Sequence, residues 1–111
     1  MTRSRSYQEG LFKRLQAPEE AAAYLDAALE EGDREVFLLA LRDVAEARLG
    51  GLGELAQQSG LNREALYRTL SAKGNPELSS LDKLLQAMGL RLSVEVQAGP
   101  HAEPAASAPE A

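Results

Sequence analysis

The sequence predicts a mainly α domain of five helices followed by one short C-terminal β-strand. Three observations lead there. Apolar residues recur at three- and four-residue spacing between positions 18 and 88, glycine or proline punctuates each run, and the period changes to strict alternation over residues 90–97. Residues 17–97 are expected to form the domain, with a basic N-terminal arm at 1–16 and a disordered, alanine- and proline-rich tail at 98–111.

In the arm, Tyr7, Leu11, Phe12 and Leu15 are interspersed among polar and basic residues, a run too short and mixed to assign more than partial ordering on the body. Pro18 is preset for a first helical turn, and Glu19 and Glu20 suit the positive end of the helix dipole. Ala21, Leu25, Ala28 and Leu29 make the apolar stripe that Gly32 closes. Asp33 caps the second helix, where Phe37, Ala40, Leu41, Val44 and the stem of Arg48 share a face until Gly50 and Gly51 break it. This helix is the expected scaffold.

Residues 52–71, LGELAQQSGLNREALYRTLS, read as two short helices joined by a glycine turn. Ala56 is small where helices would cross, Gly60 stops the third helix, and Asn62 caps the fourth. Leu52, Leu55 and Ala56 then face Leu61, Leu66 and Leu70, which leaves Asn62, Arg63, Tyr67, Arg68 and Ser71 outward. That layout is a helix-turn-helix, and its outward side chains suit DNA. Arginine bonds guanine bidentately, asparagine does so with adenine, and tyrosine or serine reaches phosphate. Lys73 and Asn75, in the following loop, are placed to touch backbone rather than bases. Periodicity alone also fits an ordinary pair of core helices, and it leaves Tyr67 open between a core ring and a DNA contact.

Gly74 and Pro76 end the fourth helix, and Ser79 with Asp82 three residues on marks the start of a fifth, lined by Leu81, Leu84, Leu85 and Met88. Beyond Gly89, Leu90, Leu92, Val94 and Val96 alternate with Arg91, Ser93, Glu95 and Gln97, the pattern of a half-buried strand. A lone strand needs a mate. The same strand of a second copy is the first choice, with the arm or another protein as alternatives.

Charge is segregated. The net of −5 hides a span, residues 17–47, with nine carboxylates against Arg34 and Arg42, whereas residues 52–75 net +1 and residues 1–16 net +3. An acidic face beside a mildly basic reading head suggests a basic protein partner, with Glu30, Glu31 and Glu35 as candidate contacts, although such a run also fits a solvated helix surface. Catalysis is not supported. His101, the only histidine, lies in the expected tail, the carboxylate pairs Glu19/Glu20 and Glu30/Glu31 have no apolar pocket in reach, and the glycines at 50, 51 and 53 precede no phosphate-loop lysine. With no cysteine there is no disulfide framework or thiolate metal site, and neither a metal nor a cofactor is expected. No apolar run approaches a membrane span and the first residues lack a secretory signal's apolar core, so the expected location is cytoplasmic.

The combination AAAYLDAALEEGDREVFLLALRDVAEAR and then LAQQSGLNREALYRTLSAKGNPELSSLDKLLQAMGLRLSV closely resembles the bacterial addiction-module antidote proteins, HigA-like antitoxins with a helix-turn-helix of the Cro/CI repressor type. The resemblance covers about residues 17–94. It implies a repressor-like five-helix fold and a type II antitoxin that neutralises a small basic toxin of the RelE/HigB-like group and represses its own operon. Asn62, Arg63, Tyr67 and Arg68 fall where such proteins place recognition-helix contacts. The run into the first reading helix, LGGLGEL, departs from the polar run such proteins carry, leaving backbone N–H groups to meet phosphate there. A stand-alone repressor without a toxin is the alternative, as is a chain whose main work is capturing the toxin.

Overall fold

The computed structural model describes residues 4–97; the expected tail at 98–111, with His101, lies outside the described residues. Six helices follow one another there: α1 (Arg5–Leu15), α2 (Pro18–Glu30), α3 (Arg34–Leu49), α4 (Leu52–Ser59), α5 (Arg63–Thr69) and α6 (Leu78–Ala87).

The expected arm is therefore a helix. Ser4 starts it by accepting a hydrogen bond from the Tyr7 N–H at 3.0 Å, and Lys13 and Arg14 occupy the last turn, where cations offset the helix dipole. Leu11 and Leu15, one turn apart, are fully buried and Phe12 is half-buried, so α1 packs on α2 and α3. Burying two leucines contributes about 3–6 kcal/mol, enough to order a short polar helix.

In α2, Pro18 opens the helix, and Ala21, Leu25 and Ala28 are buried at helical spacing. Leu29, expected on the same stripe, is 54% exposed. α3 is the scaffold against which α1, α2 and α4 all pack. Its Asp33 cap accepts from the Glu35 N–H at 2.9 Å, and Phe37, Leu38, Ala40, Leu41, Val44 and Ala45 enter the core. Asp43 is buried as well. It accepts a 2.6 Å hydrogen bond from the Tyr24 hydroxyl, which ties α2 to α3.

α4 packs on α3, α5 and α6, and contributes Leu55 and Ala56 to the core. The last helix begins two residues earlier than the Ser79 cap predicts, with Glu77 at the N-cap and no side-chain cap bond. Leu84, Leu85 and Met88 are buried as expected from their spacing.

The expected C-terminal strand is not formed. Residues 90–97 leave α6 with no ladder, and among the described residues no backbone hydrogen bond involves residues 91–97. Leu90 and Leu92 pack on the core edge while Val94 and Val96 are 97% and 83% exposed. The physical reason is that an extended segment forms a strand only against a partner, and among the described residues none lies alongside it.

Two glycines test this packing in opposite directions. A Cβ on Gly74 would stand 1.7 Å from the Thr69 carbonyl oxygen, whereas one on Gly10, in the middle of α1, meets nothing within 4 Å. Gly74→Ala is expected to lower stability by about 1–3 kcal/mol, and Gly10→Ala to raise it by about 0.5–1 kcal/mol through its better helix propensity. Urea denaturation of both variants measures this, and equal shifts would contradict the loop packing described.

Candidate nucleic-acid interface

Three residues, Gly60, Leu61 and Asn62, connect α4 to α5. Gly60 takes φ 77°, the left-handed conformation that ends α4, and its N–H returns to the Ala56 carbonyl. Asn62 then starts α5, its Oδ1 accepting from the Ala65 N–H at 2.9 Å. Leu66 and Leu70 are buried beneath the helix, so α5 has one face in the core and the other in solvent.

The outward face carries the residues that spacing selected. Asn62, Arg63, Tyr67, Arg68 and Ser71 are all exposed, as are Lys73 and Asn75 in the loop beyond. They are not equivalent. The Arg63 guanidinium lies over the Tyr67 ring at 5.4 Å from its centroid, and its Nη2 donates to the Tyr67 hydroxyl at 3.2 Å. The pair is one turn apart, and the stack holds a long cation in a single place. Tyr67 is thus not a core ring: it is 44% exposed and forms part of the wall of an open groove of about 570 Å³ shared with Phe12, Leu39 and Leu52.

Arg68 makes no side-chain hydrogen bond to any described residue and is exposed, so its five donors remain available. Ser71 is committed locally, its hydroxyl donating to the Arg68 carbonyl at 2.7 Å and closing the end of α5. Asn62 is likewise engaged through its oxygen, which leaves the amide N–H₂ as its free end. A cap in this state is better suited to a single donated bond than to the two-point recognition of adenine.

Two residues at this face were not singled out by spacing. With about 100° per residue, Glu64 projects between Tyr67 and Arg68, in the middle of the exposed side. It supplies the negative first turn that favours the helix dipole, and its carboxylate is an acceptor among donors. Gly53, near the start of α4, is the other. A Cβ there would lie 3.6 Å from the Arg63 guanidinium carbon, so the bare backbone of α4 forms the floor on which Arg63 rests. Gly53 therefore has a local use that composition does not reveal.

The second candidate surface surrounds the turn between α2 and α3. Glu30 ends α2, Glu31 follows as its C-cap and Glu35 lies in the first turn of α3, all exposed. Shallow apolar hollows flank them, one beside Leu29 and Phe37 and another beside Val36 and Leu39. Carboxylates around apolar depressions make a mixed surface of the kind proteins recognise. No helix among the described residues is long and apolar enough to cross a membrane.

A family model described as "Probable addiction module antidote protein" matches residues 8–96, from within α1 to Val96 in the alternating segment. An uncharacterized protein of Haemophilus influenzae is 37% identical over 81 residues, which is 73% of this chain and 81% of that protein. No solved structure matches the chain. The match spans all six helices, α1 from Gln8 on, and on that footing the chain belongs to the probable addiction module antidote protein family.

Proposed function

We propose that this chain is the antitoxin of a type II toxin–antitoxin module, which neutralises a RelE/HigB-like toxin in the cytoplasm and represses its own operon through a helix-turn-helix of the Cro/CI type formed by α4 and α5. Membership of the antidote family supports the antitoxin role. The observation that carries the DNA-binding part is the exposed face of α5, where two guanidiniums stand above a helix whose other side is buried.

In this reading α5 lies in a major groove. Arg68, free of internal partners, takes a guanine edge bidentately, and Arg63, held by Tyr67, takes a second guanine or a phosphate. Glu64 accepts from a cytosine amino group, Asn62 touches the backbone through its amide N–H₂, Ser71 does so once its hydroxyl turns from the Arg68 carbonyl, and Lys73 and Asn75 fix register from the loop. Two copies of the chain read an inverted repeat with half-sites about one helical turn, roughly 34 Å, apart. The toxin, a small basic protein, is captured on the acidic surface that includes Glu30, Glu31 and Glu35, where charge complementarity sets partner choice and association rate.

Gel-shift titration on the DNA upstream of the chain's own reading frame tests the first half. Arg68→Ala and Arg63→Ala are each expected to weaken binding by about 1–3 kcal/mol and to relax specificity at one base pair. Tyr67→Phe keeps the ring beneath Arg63 and loses one hydrogen bond, an effect of about 0.5–1.5 kcal/mol. Unchanged affinity in both arginine variants refutes the groove assignment.

Co-purification with the product of the neighbouring reading frame tests the second half. Reversing Glu30, Glu31 and Glu35 to lysine is expected to reduce toxin capture at least about tenfold, in line with like-charge juxtaposition, while the gel shift is retained. Capture that survives intact means those carboxylates are only solvated.

A further inference from the structure

Residues 90–97 hold a strand pattern without a strand. The four apolar side chains fall on one side of the alternation and Arg91, Ser93, Glu95 and Gln97 on the other. Leu90 and Leu92 already rest against the core, at the edge of an open groove of about 510 Å³ that Leu25, Leu29, Phe37 and Leu85 help to line. Val94 and Val96 are left in solvent, and the backbone of residues 91–97 has no hydrogen-bond partner among the described residues. An unpaired backbone beside an unfilled apolar groove is what a second strand would complete.

We infer that the occupant is a second copy of this chain, whose residues 90–97 pair antiparallel with their own counterparts in a register centred on Ser93. The sequence is complementary to itself in that register alone. Arg91 then stands opposite Glu95 of the partner subunit, and by symmetry twice over, which places two opposite-charge pairs on the solvent face. Leu92 meets Val94 of the partner subunit and Leu90 meets Val96 of the partner subunit, so all eight apolar side chains share the inner face and the incoming valines extend across the groove beside Leu29. Centring on Val94 leaves Arg91 opposite Gln97 and Ser93 opposite Glu95, so no ion pair forms. Centring between residues sets every apolar side chain against a polar one, because a one-residue slip reverses the faces. Cross-strand pairs are the unit of sheet stabilisation, and this arrangement satisfies each of them.

This inference rests on the two-copy reading proposed above and specifies which surface joins the copies. The chain has no cysteine, so one introduced thiol reports the register cleanly. Ser93 is exposed and tolerates the change. In Ser93→Cys the two sulfurs face each other across a Cα separation of about 4.5–5.5 Å, within disulfide reach. In Glu95→Cys they are four residues apart along the strands, about 13 Å, beyond it.

Mild oxidation of the full chain is therefore expected to convert Ser93→Cys to a covalent dimer and to leave Glu95→Cys uncrosslinked. In sedimentation, Arg91→Glu and Glu95→Arg are each expected to raise the dimer dissociation constant about tenfold, and the double exchange R91E/E95R to restore it. A Val94→Cys variant that crosslinks in preference to Ser93→Cys overturns the register. A wild-type chain that remains monomeric at all concentrations overturns the pairing, and so does a double exchange that deepens the loss. Gel shift separates the two readings: a monomer that still binds its DNA refutes this interface and leaves DNA recognition standing, while a Ser93→Cys dimer that binds no DNA supports the interface and refutes recognition.

Discussion

The arrangement of the helices depends on one guanidinium. Arg48, in the last turn of α3, donates from Nε to the Met88 carbonyl at 2.9 Å and from Nη1 to the Gln16 carbonyl at 2.6 Å. Those two oxygens belong to the C-caps of α6 and α1, where helices leave carbonyls without internal partners. A planar fork of donors answers both ends at once, and a charged donor makes each bond stronger than a neutral one. Gly89 makes the approach possible. Its φ of 84° turns the chain away after α6, and a Cβ there would stand 3.1 Å from Arg48 Nη2. Since α6 packs on α4 and α4 carries α5, the guanidinium at the end of α3 also sets where the exposed helix points.

This clamp shows what a sequence reveals and what it conceals. Helices α2 to α5 were legible because their ends are written in single residues: Pro18, Gly32, Asp33, Gly50, Gly60 and Asn62 act within one turn of chain. Spacing puts the stem of Arg48 on the core side, but its two carbonyls lie 32 and 40 residues away and have no signature in spacing. α1 was missed for a related reason. Its two buried leucines become informative only once α3 is there to receive them, and the polar residues around them carry no strong period. The alternation at residues 90–97 is real, but a strand requires a partner, and the described residues provide none.

At the candidate site the same division holds. Arg63 and Arg68 could be assigned to the surface from composition alone, because a core does not hold two guanidiniums without partners. The stacking of Arg63 on Tyr67 follows from a four-residue spacing and is visible in hindsight. The roles of Gly53 and Glu64 depend on where α4 crosses α5 and on which side of α5 is buried, and both are properties of the packed pair. Asn62 shows the reverse effect. The residue type that suits adenine is also the type that caps a helix, and here the cap takes the oxygen.

The two surfaces cannot be wholly separate, and their distance apart is set by α3 and the end of α5. The hollow that begins at Asp33 and Glu35 continues past Leu39 and Arg42 to Leu70 and Ala72. Arg42 lies across it, its Nη1 reaching the Leu70 carbonyl at 3.5 Å. A stable protein partner covers about 800 Å² on each side, far more than three carboxylates present. In the proposed function a toxin seated on Glu30, Glu31 and Glu35 therefore extends over exposed apolar surface, and the nearest such surface along α3 is Leu39, 46% exposed and also part of the groove beside Tyr67. A partner of that size reaches the residues that follow α5, among them the exposed Lys73. In the proposed function, toxin and DNA thus meet at the end of the reading helix, and a basic toxin brought there adds positive charge beside the duplex, which compensates for a chain whose own net charge is −5.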